Sequence, residues 1–300
     1  MNLLVAVVPN FSEGRRTDVI ESIVAPYHDH PLVRLLDVAS DADHNRVVVT
    51  AVGPPEVMAE ATFDCIRRAA GLINMAEHKG EHPRMGATDV VPFIPVKGVS
   101  MADCVALAKG LGRRVGEELG IPVYLYEAAA SRPERQDLAY IRKGQYEGFK
   151  TKIQLPDWVP DFGPQTLHPT AGATVIGARM PLVAFNVNLG TADIAIADRI
   201  SKAVRHSSGG LRFCKAVGVA LKAKGIVQVS MNLTDYTRTA LHRAFELVRV
   251  EAERYGVPVV GSEIIGLTPM AALIDAAAHH LRLEGFRLDQ VLEQHLADEA

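Results

Sequence analysis

One short segment of the chain combines residue types that do acid–base chemistry. Residues 77–89 read EHKGEHPRMGATD, with two histidines, two glutamates, a lysine, an arginine and an aspartate. Gly80 and Pro83 would break a helix, so the segment is predicted to be a loop. Loops this rich in titratable groups commonly carry binding or catalytic residues, and histidine exchanges protons near neutral pH.

The spacing of the histidines also raises a metal hypothesis. His78, Glu81 and His82 form H-x-x-E-H, which in some zinc proteases presents two imidazoles on one helix face. That geometry requires residues four apart to be stacked on a continuous helix, and Gly80 and Pro83 argue against one. The sequence has no CxxC pair to strengthen the hypothesis. We therefore expect no metal site here.

Composition narrows the class of protein. The chain has 300 residues, of which 48% are hydrophobic and 22% charged, and this suits a globular protein of about two domains. Its net charge of -3 gives no reason to expect nucleic acid or a membrane as partner, so a small ligand is expected. The apolar start lacks the basic residues and length of a signal peptide. Three scattered cysteines (Cys65, Cys104 and Cys214) favour a reducing, cytoplasmic location.

Apolar periodicity predicts the order β-α-β-β-α-β in the first half of the chain. The predicted elements are strand 3–8, helix 17–27, strands 33–38 and 46–53, a helix from Pro54 to Leu72, and strand 90–96. This is the order of the ferredoxin-like unit, in which two helices cover one face of an antiparallel sheet and leave the other free. A further helix begins at Ser100, which is spaced with Asp103 as a capping box, and strand 122–126 follows.

The same order is predicted to restart after residue 181. Its elements are strand 182–189, helix 192–204, strands 213–221 and 226–233, helix 237–255, strand 258–265, and a last helix with Thr268 as its cap. Prolines and glycines in residues 150–177 predict a connector without regular structure, whose Trp158 packs along a groove. The predicted fold class is α+β, with two ferredoxin-like subdomains at residues 1–180 and 181–300.

Long motifs throughout the chain resemble the glutamate formimidoyltransferase (formiminotransferase) family. They are VPNFSEG (8–14), LLDV (35–38), NR (45–46), EHKGEHPRMGATDVVPFIPV (77–96), VYLYE (123–127), DFGPQTLHPTAGAT (161–174), AFNVNL (184–189) and PVVGSEIIGLTP (258–269). The resemblance covers almost the whole chain. It implies two ferredoxin-like subdomains with a folate tunnel between them, in a stand-alone transferase without the cyclodeaminase domain of animal members.

The resemblance also implies an activity and its residues. The family transfers a formimidoyl group between N-formimino-L-glutamate and N5 of tetrahydrofolate, its co-substrate, in histidine degradation. Through the G-E-H-P-R-M-G motif the catalytic base is His82, and imidazole suits the removal of an amine proton near neutral pH. The folate-binding stretch corresponds to Gly163, Pro164, Gln165, Thr166, Leu167, His168, Pro169, Thr170, Ala171 and Gly172. A homodimer is expected, because open sheet faces need cover.

The sequence leaves alternatives at several positions. Relatives continue LLDV with an aspartate where this chain has Ala39, and Asp41 is a candidate replacement. A second hypothesis is transfer of a formyl group from 5-formyltetrahydrofolate to glutamate, because the two groups are nearly isosteric. A third is a folate-binding module with weak turnover, to which the change at Ala39 points.

Other polar residues near the motifs have less definite roles. His78 either orients His82 or caps the preceding helix end, and the structural role is favoured. Lys79 and Arg84 are either carboxylate ligands or solvated ion pairs. The basic residues before the folate segment either bind the folate tail or form a solvated face: Arg142, Lys143, Lys150 and Lys152.

Overall fold

The computed structural model describes residues 3–294, and the chain divides between Arg179 and Met180 into two units, each with its own sheet and core. The first unit contains β1 (Leu4–Val7), β2 (Asn10–Phe11), α1 (Thr17–His28), β3 (Arg34–Asp41), β4 (Arg46–Gly53), α2 (Pro55–Leu72), β5 (Thr88–Lys97), α3 (Met101–Glu118), β6 (Val123–Glu127), α4 (Leu138–Arg142), α5 (Gln145–Lys152) and β7 (Thr174–Ala178).

The sheet of the first unit has the strand order β3-β4-β1/β2-β5-β7-β6, with β1 and β2 end to end between β4 and β5. The four antiparallel positions from β3 to β5 follow the order of a ferredoxin-like sheet, as predicted. Two parallel strands, β7 and β6, extend the sheet beyond β5. The amino ends of β5 and β7 therefore lie side by side at one edge.

The two faces of this sheet are covered by different helices. Helices α1 and α2 pack on one face over alternate residues of β4, such as Val47, Val49 and Ala51, and α3 packs on the same face over β5, β6 and β7. The residues of β4 on the opposite face are half-exposed, but the prediction of a free face is wrong for the part of the sheet from β5 to β6. There α4, α5 and Trp158 build a second core over β5, β6 and β7, using the residues that alternate with those of the first core.

The connector prediction for residues 150–177 is wrong at both ends. Helix α5 continues to Lys152, and β7 begins at Thr174. Strand β7 is buried at all five positions, so its sequence TVIGA shows no alternation that would separate it from a loop. In between, Trp158 packs as predicted, with its ring 5.3 Å from that of Tyr140 and 5.6 Å from that of Phe149.

The second unit repeats the order of the first four strands. Its elements are β8 (Val183–Leu189), α6 (Ile194–Val204), β9 (Cys214–Leu221), β10 (Ile226–Leu233), α7 (Leu241–Glu253), β11 (Val259–Ile265) and α8 (Met270–Leu281). The antiparallel order β11-β8-β10-β9 is ferredoxin-like, which confirms the predicted class. The predicted cap at Thr268 is wrong, because Pro269 precedes α8 and no side chain caps it. None of the helices in residues 3–294 has the length and apolar character needed to cross a bilayer.

The predicted capping box of α3 is present. Ser100 Oγ accepts a hydrogen bond from the Asp103 N–H at 3.2 Å, and the Asp103 carboxylate accepts one from the Ser100 N–H at 2.8 Å. We expect Ser100→Ala to lower the free energy of unfolding by about 0.5–2 kcal/mol in urea denaturation. Ser100→Thr keeps the hydroxyl and should retain most of the free energy that the cap contributes. An equal loss in both variants would contradict the capping role.

Candidate active site

Most of the titratable segment lies in the loop between α2 and β5, its last two residues begin β5, and no part of it is helical. The geometric basis of the zinc hypothesis is therefore missing. Both ring nitrogens of His78 are used within the protein: Nε2 donates to the Asn45 carbonyl at 3.0 Å, and Nδ1 accepts from Arg84 Nε at 3.2 Å. Burial lowers the pKa of His78, which agrees with a neutral imidazole in this arrangement. His78 is structural, although it joins two loops instead of capping a helix.

Arg84 fastens the loop to α5. It is 5% exposed, and its guanidinium donates to the His78 ring and carbonyl, to Gln145, and to both carboxylate oxygens of Glu147 at 2.7 and 2.9 Å. These bonds use all its donors, so the interpretation of Arg84 as a substrate carboxylate ligand is wrong. Lys79 is exposed.

Asn45 joins three of the motifs found in the sequence. Its Oδ1 accepts from the Gly14 N–H at 2.9 Å, and its Nδ2 donates to the Lys79 carbonyl at 3.0 Å. Its φ of 48° is left-handed, a conformation that asparagine adopts more readily than most residues. Gly14 is required here, because a Cβ would lie 2.1 Å from the Asp41 carbonyl oxygen. The segments 8–14, 45–46 and 77–89 are thus held together.

His82 lies beside a buried carboxylate. The histidine is 8% exposed, and its Nε2 is 3.5 Å from Asp89 Oδ2, which is longer than an ordinary hydrogen bond. Asp89 is fixed from two other sides, because Oδ1 accepts from the Met85 N–H at 2.9 Å and Oδ2 pairs with the Arg142 guanidinium. The carboxylate is therefore held in place to attract an N–H or positive charge on His82.

The electrostatics of this cluster favour a neutral histidine and an ionised aspartate. Burial lowers the pKa of His82, Asp89 opposes this effect, and the positive charges of Arg46 and Arg142 add to it. Burial alone would raise the pKa of Asp89, but Arg142, His82 and the Met85 N–H together hold it below its usual value. A neutral imidazole can accept a proton, so the arrangement is competent for general-base chemistry.

The predicted folate segment lies against the His82 loop. The Ala87 N–H donates to the Ala171 carbonyl at 2.9 Å, and the Met75 N–H donates to the Thr170 carbonyl at 2.8 Å. His168 and Gly172 exchange backbone hydrogen bonds of 3.0 and 3.1 Å, which close a tight turn. Toward the other end of the segment the exposed residues are Gly163, Pro164 and Thr166. The structure thus brings two sequence-predicted groups of residues together within the first unit.

Glycine is required where these two loops meet. A Cβ at Gly86 would lie 2.1 Å from the Ala173 carbonyl oxygen and 2.5 Å from that of Ala171. We expect Gly86→Ala to lower the free energy of unfolding by about 1–3 kcal/mol in chemical denaturation. Gly110→Ala in α3 is the matched control, since its Cβ meets no atom within 4 Å, and it should stabilise by about 0.5–1 kcal/mol. If Gly86→Ala and Gly110→Ala are equally stable, the close contact between the two loops at Gly86 does not contribute to stability.

Two arginines make contacts that no sequence pattern predicts. Arg135, 2% exposed, donates to Asp161 at 2.9 Å and to the Val159 carbonyl at 2.7 Å, and so holds the chain that leads into Gly163. Arg142 pairs with Asp89, so it is not merely a solvated charge. Neither partner is local in sequence, and no spacing rule indicates either contact.

Lys152 belongs to the second core. Its Nζ donates to the Ile141 and Lys143 carbonyls at 3.0 and 2.8 Å and lies 3.5 Å from the centre of the Trp158 ring. Burial, with a smaller effect of Lys143, lowers its pKa to about 8. Lys152 is therefore a structural cation rather than a solvated one.

The carboxylate of Asp41 is occupied within its own turn. Its Oδ1 accepts from the Asp43 and His44 N–H groups at 2.9 Å each, and its Oδ2 lies 2.8 Å from His44 Nδ1. The His44 N–H is the largest cause of the lowered pKa of Asp41. Ala39 lies on β3, exposed and opposite Val48 of β4.

Comparisons with known proteins show the family of this chain. The family model of the formiminotransferase domain, N-terminal subdomain, matches residues 4–179, and that of the formiminotransferase domain matches residues 184–297. The chain belongs to the formiminotransferase family. It is 52% identical over 297 residues to a glutamate formimidoyltransferase of Streptococcus pyogenes serotype M1, with 99% of each chain covered.

Two further members of the formiminotransferase family are similar over most of this chain. A glutamate formimidoyltransferase of Thermoplasma acidophilum is 51% identical, with 97% of this chain and 96% of that one covered. The formimidoyltransferase-cyclodeaminase of Mus musculus is 48% identical over 93% of this chain, which spans 53% of the mouse protein. Within residues 3–294, no group of three or more His, Cys, Asp or Glu side chains is arranged to hold a metal ion.

Proposed function

We propose that the protein transfers a formimidoyl group between N-formimino-L-glutamate and N5 of tetrahydrofolate, as a step of histidine degradation. The observation that carries this proposal is the 52% identity to a glutamate formimidoyltransferase across nearly the full length of both chains. The arrangement of a neutral histidine beside a fixed carboxylate supports it, because the reaction moves a proton between two amines.

The proposed chemistry joins one amine to the amidine carbon while the other leaves. N5 of tetrahydrofolate attacks that carbon and forms a tetrahedral intermediate, and His82 takes the proton that N5 loses. The intermediate collapses with cleavage of the bond from carbon to the glutamate nitrogen, which receives the proton from His82. Atoms balance with one N–C bond formed and one broken.

The charge of Asp89 determines which ring nitrogen of His82 accepts the proton. A carboxylate facing Nε2 favours the tautomer with hydrogen on Nε2, so the lone pair is on Nδ1. We assign Nδ1 as the proton acceptor and Asp89 as the group that orients and steadies the imidazolium. Residues Gly163 to Gly172 are proposed to bind the folate, since this segment packs against the His82 loop through Ala171 and Thr170.

The test is a spectroscopic assay of N-formimino-L-glutamate loss with and without tetrahydrofolate. Loss that depends on tetrahydrofolate and yields glutamate is the expected result. A parallel assay with 5-formyltetrahydrofolate and glutamate distinguishes formyl transfer. Folate binding without transfer of either the formimidoyl or the formyl group would contradict an enzymatic function and favour a folate-binding module.

We also propose a homodimer in the cytoplasm. The described cysteines Cys65, Cys104 and Cys214 are all free and buried, which fits a reducing compartment. In the second unit, Val217 and Ile265 are each 55% exposed on the sheet face opposite α6 and α7, and a second copy would cover them. A stable monomer in sedimentation at working concentrations would contradict the dimer.

A further inference from the structure

Two arginines beside His82 have donors that the protein does not use. Arg46 begins β4, and Arg142 ends α4. In residues 3–294, Nε of each is buried and has no hydrogen-bond partner. Arg142 pairs with Asp89 through Nη2, and Arg46 donates weakly from Nη1 to Asn10 Oδ1 at 3.4 Å. Both guanidiniums therefore retain directed N–H groups for another acceptor.

The local charges do not balance. Two guanidiniums and a neutral His82 face one buried carboxylate, Asp89, and Asp41, which also acts on Arg46, is bonded within its exposed turn. Burial and the charge of Arg142 both lower the pKa of Arg46, while Asp89 and Asp41 raise it. An excess of positive charge in a partly buried site is unfavourable unless an anion pairs with it. An anionic ligand would supply that pairing.

Two buried hydroxyls lie at the same end of the sheet as these arginines. Thr88 Oγ1 and Thr174 Oγ1 are buried and lack hydrogen-bond partners among the described residues. Thr88 begins β5 and Thr174 begins β7, and these strands run parallel with Val90 opposite Val175. Phe11 of β2 pairs with both Thr88 and Val47, which places Arg46 at the same edge. Because Thr174 shares a sheet face with Ile176 of the first core and Arg46 alternates with Val47 of that core, only the guanidinium forks are assigned as carboxylate donors.

We infer that Arg46 and Arg142 bind the α-carboxylate of the amino-acid substrate beside His82. The inference rests on the proposed function. In glutamate the α-carboxylate and the reacting amine are on the same carbon, so a site that places the amine at His82 must place this carboxylate next to it. The carboxylates of folate are separated from N5 by the aminobenzoyl group. A site beside the base therefore fits the amino acid better than the folate tail.

Arg46 is the better residue to change, because Arg142 also holds Asp89. The reaction is followed from 5-formiminotetrahydrofolate to three acceptors: glutamate, glutamine with a γ-amide, and isoglutamine with an α-amide. We expect the kcat/KM of the wild type to be at least about 10-fold lower for isoglutamine than for glutamate. Arg46→Gln should lose about 10- to 100-fold in kcat/KM for glutamate, so that the difference between the two acceptors disappears. Arg67→Gln, an exposed residue of α2, is the matched control for loss of one positive charge.

Each other outcome overturns the inference. Equal losses for glutamate and isoglutamine would show that Arg46 does not read the α-carboxylate. A change in the preference between tetrahydrofolate and tetrahydropteroate, which lacks the glutamyl tail, would assign the site to folate. If Arg46→Gln does not fold, the wild type alone still tests the inference. Equal kcat/KM values for isoglutamine and glutamate would show that the enzyme does not recognise the α-carboxylate.

Calorimetry separates this inference from the proposed function. Glutamate and isoglutamine are titrated into the wild type and into Arg46→Lys, which keeps the charge but loses the fork. Wild type that binds glutamate more tightly than isoglutamine, with the preference reduced in Arg46→Lys, supports the site even if no transfer is detected. Transfer activity with no such preference overturns the site and leaves the proposed function intact.

Discussion

Replacement of His82 by glutamine is expected to lower kcat for formimidoyl transfer by about 100- to 10,000-fold, the contribution usual for a general base. Glutamine keeps a polar side chain but cannot accept the amine proton. The measurement is the tetrahydrofolate-dependent loss of N-formimino-L-glutamate at saturating substrates. Tetrahydrofolate binding, followed by calorimetry, should change little, because the segment from Gly163 to Gly172 is left intact.

A matched histidine variant controls for this substitution. His28 is at the exposed end of α1, where it pairs with the neighbouring Asp29. His28→Gln should leave transfer unchanged. Full activity in His82→Gln, with folding verified by circular dichroism, would remove His82 from the mechanism.

The pH dependence of the activity is a second test of His82 as the general base. His82 works as a base only when neutral, and burial lowers its pKa below the ordinary value of about 6.5. The acid limb of kcat/KM should therefore lie below pH 6.5 in the wild type, with activity falling as pH decreases through the pKa of the folded protein. The limb should be absent from the residual activity of His82→Gln.

Much of the fold could be predicted, because ferredoxin-like units repeat a local pattern. Amphipathic strands such as β4 alternate buried and half-buried residues, and helix α3 carries its own capping box. These signals are contained within one element and its neighbours. Strand β7 lacks them, since it is short, fully buried and recruited as a parallel strand beside β5 and β6.

The surroundings of the site were harder to predict for a related reason. His82 is in a motif, but Arg142 meets Asp89 across 53 residues of sequence, and Arg84 meets Glu147 across 63. Both contacts depend on α4 and α5 covering a sheet face that a simple ferredoxin-like unit leaves open. From the sequence alone, charged residues in such segments are predicted to be solvated, because only the tertiary structure shows that they are buried.

Asp89→Asn should have the largest effect on stability. The side chain of Asp89 is 1% exposed, and the substitution leaves the Arg142 guanidinium without its carboxylate. Removing one partner of a buried ion pair costs about 2–5 kcal/mol, to be measured at pH 7 by urea denaturation. Asp64→Asn is the control, since its pair with Arg67 is exposed and should contribute at most about 1 kcal/mol.

The sign of the pH dependence follows from the lowered pKa of Asp89. A carboxyl group whose pKa is lower in the folded than in the unfolded state stabilises the fold above the unfolded value, about 3.9, and loses this effect as pH falls through the folded value. The difference in unfolding free energy between wild type and Asp89→Asn should therefore be constant near neutral pH and shrink below about pH 4. A difference independent of pH would indicate lost packing rather than lost charge.

Asp89→Asn should also change catalysis in a direction that packing alone would not produce. The Asp89 carboxylate raises the pKa of His82 against the effect of burial, so its removal lowers that pKa further. The acid limb of kcat/KM should move to lower pH while kcat falls, because the imidazolium loses its partner and the ring its orientation. In the double variant Asp89→Asn with Arg142→Gln, part of the lost stability should return, since no unpaired buried charge remains. An unshifted acid limb together with an unrecovered double variant would show that Asp89 neither steadies His82 nor balances Arg142.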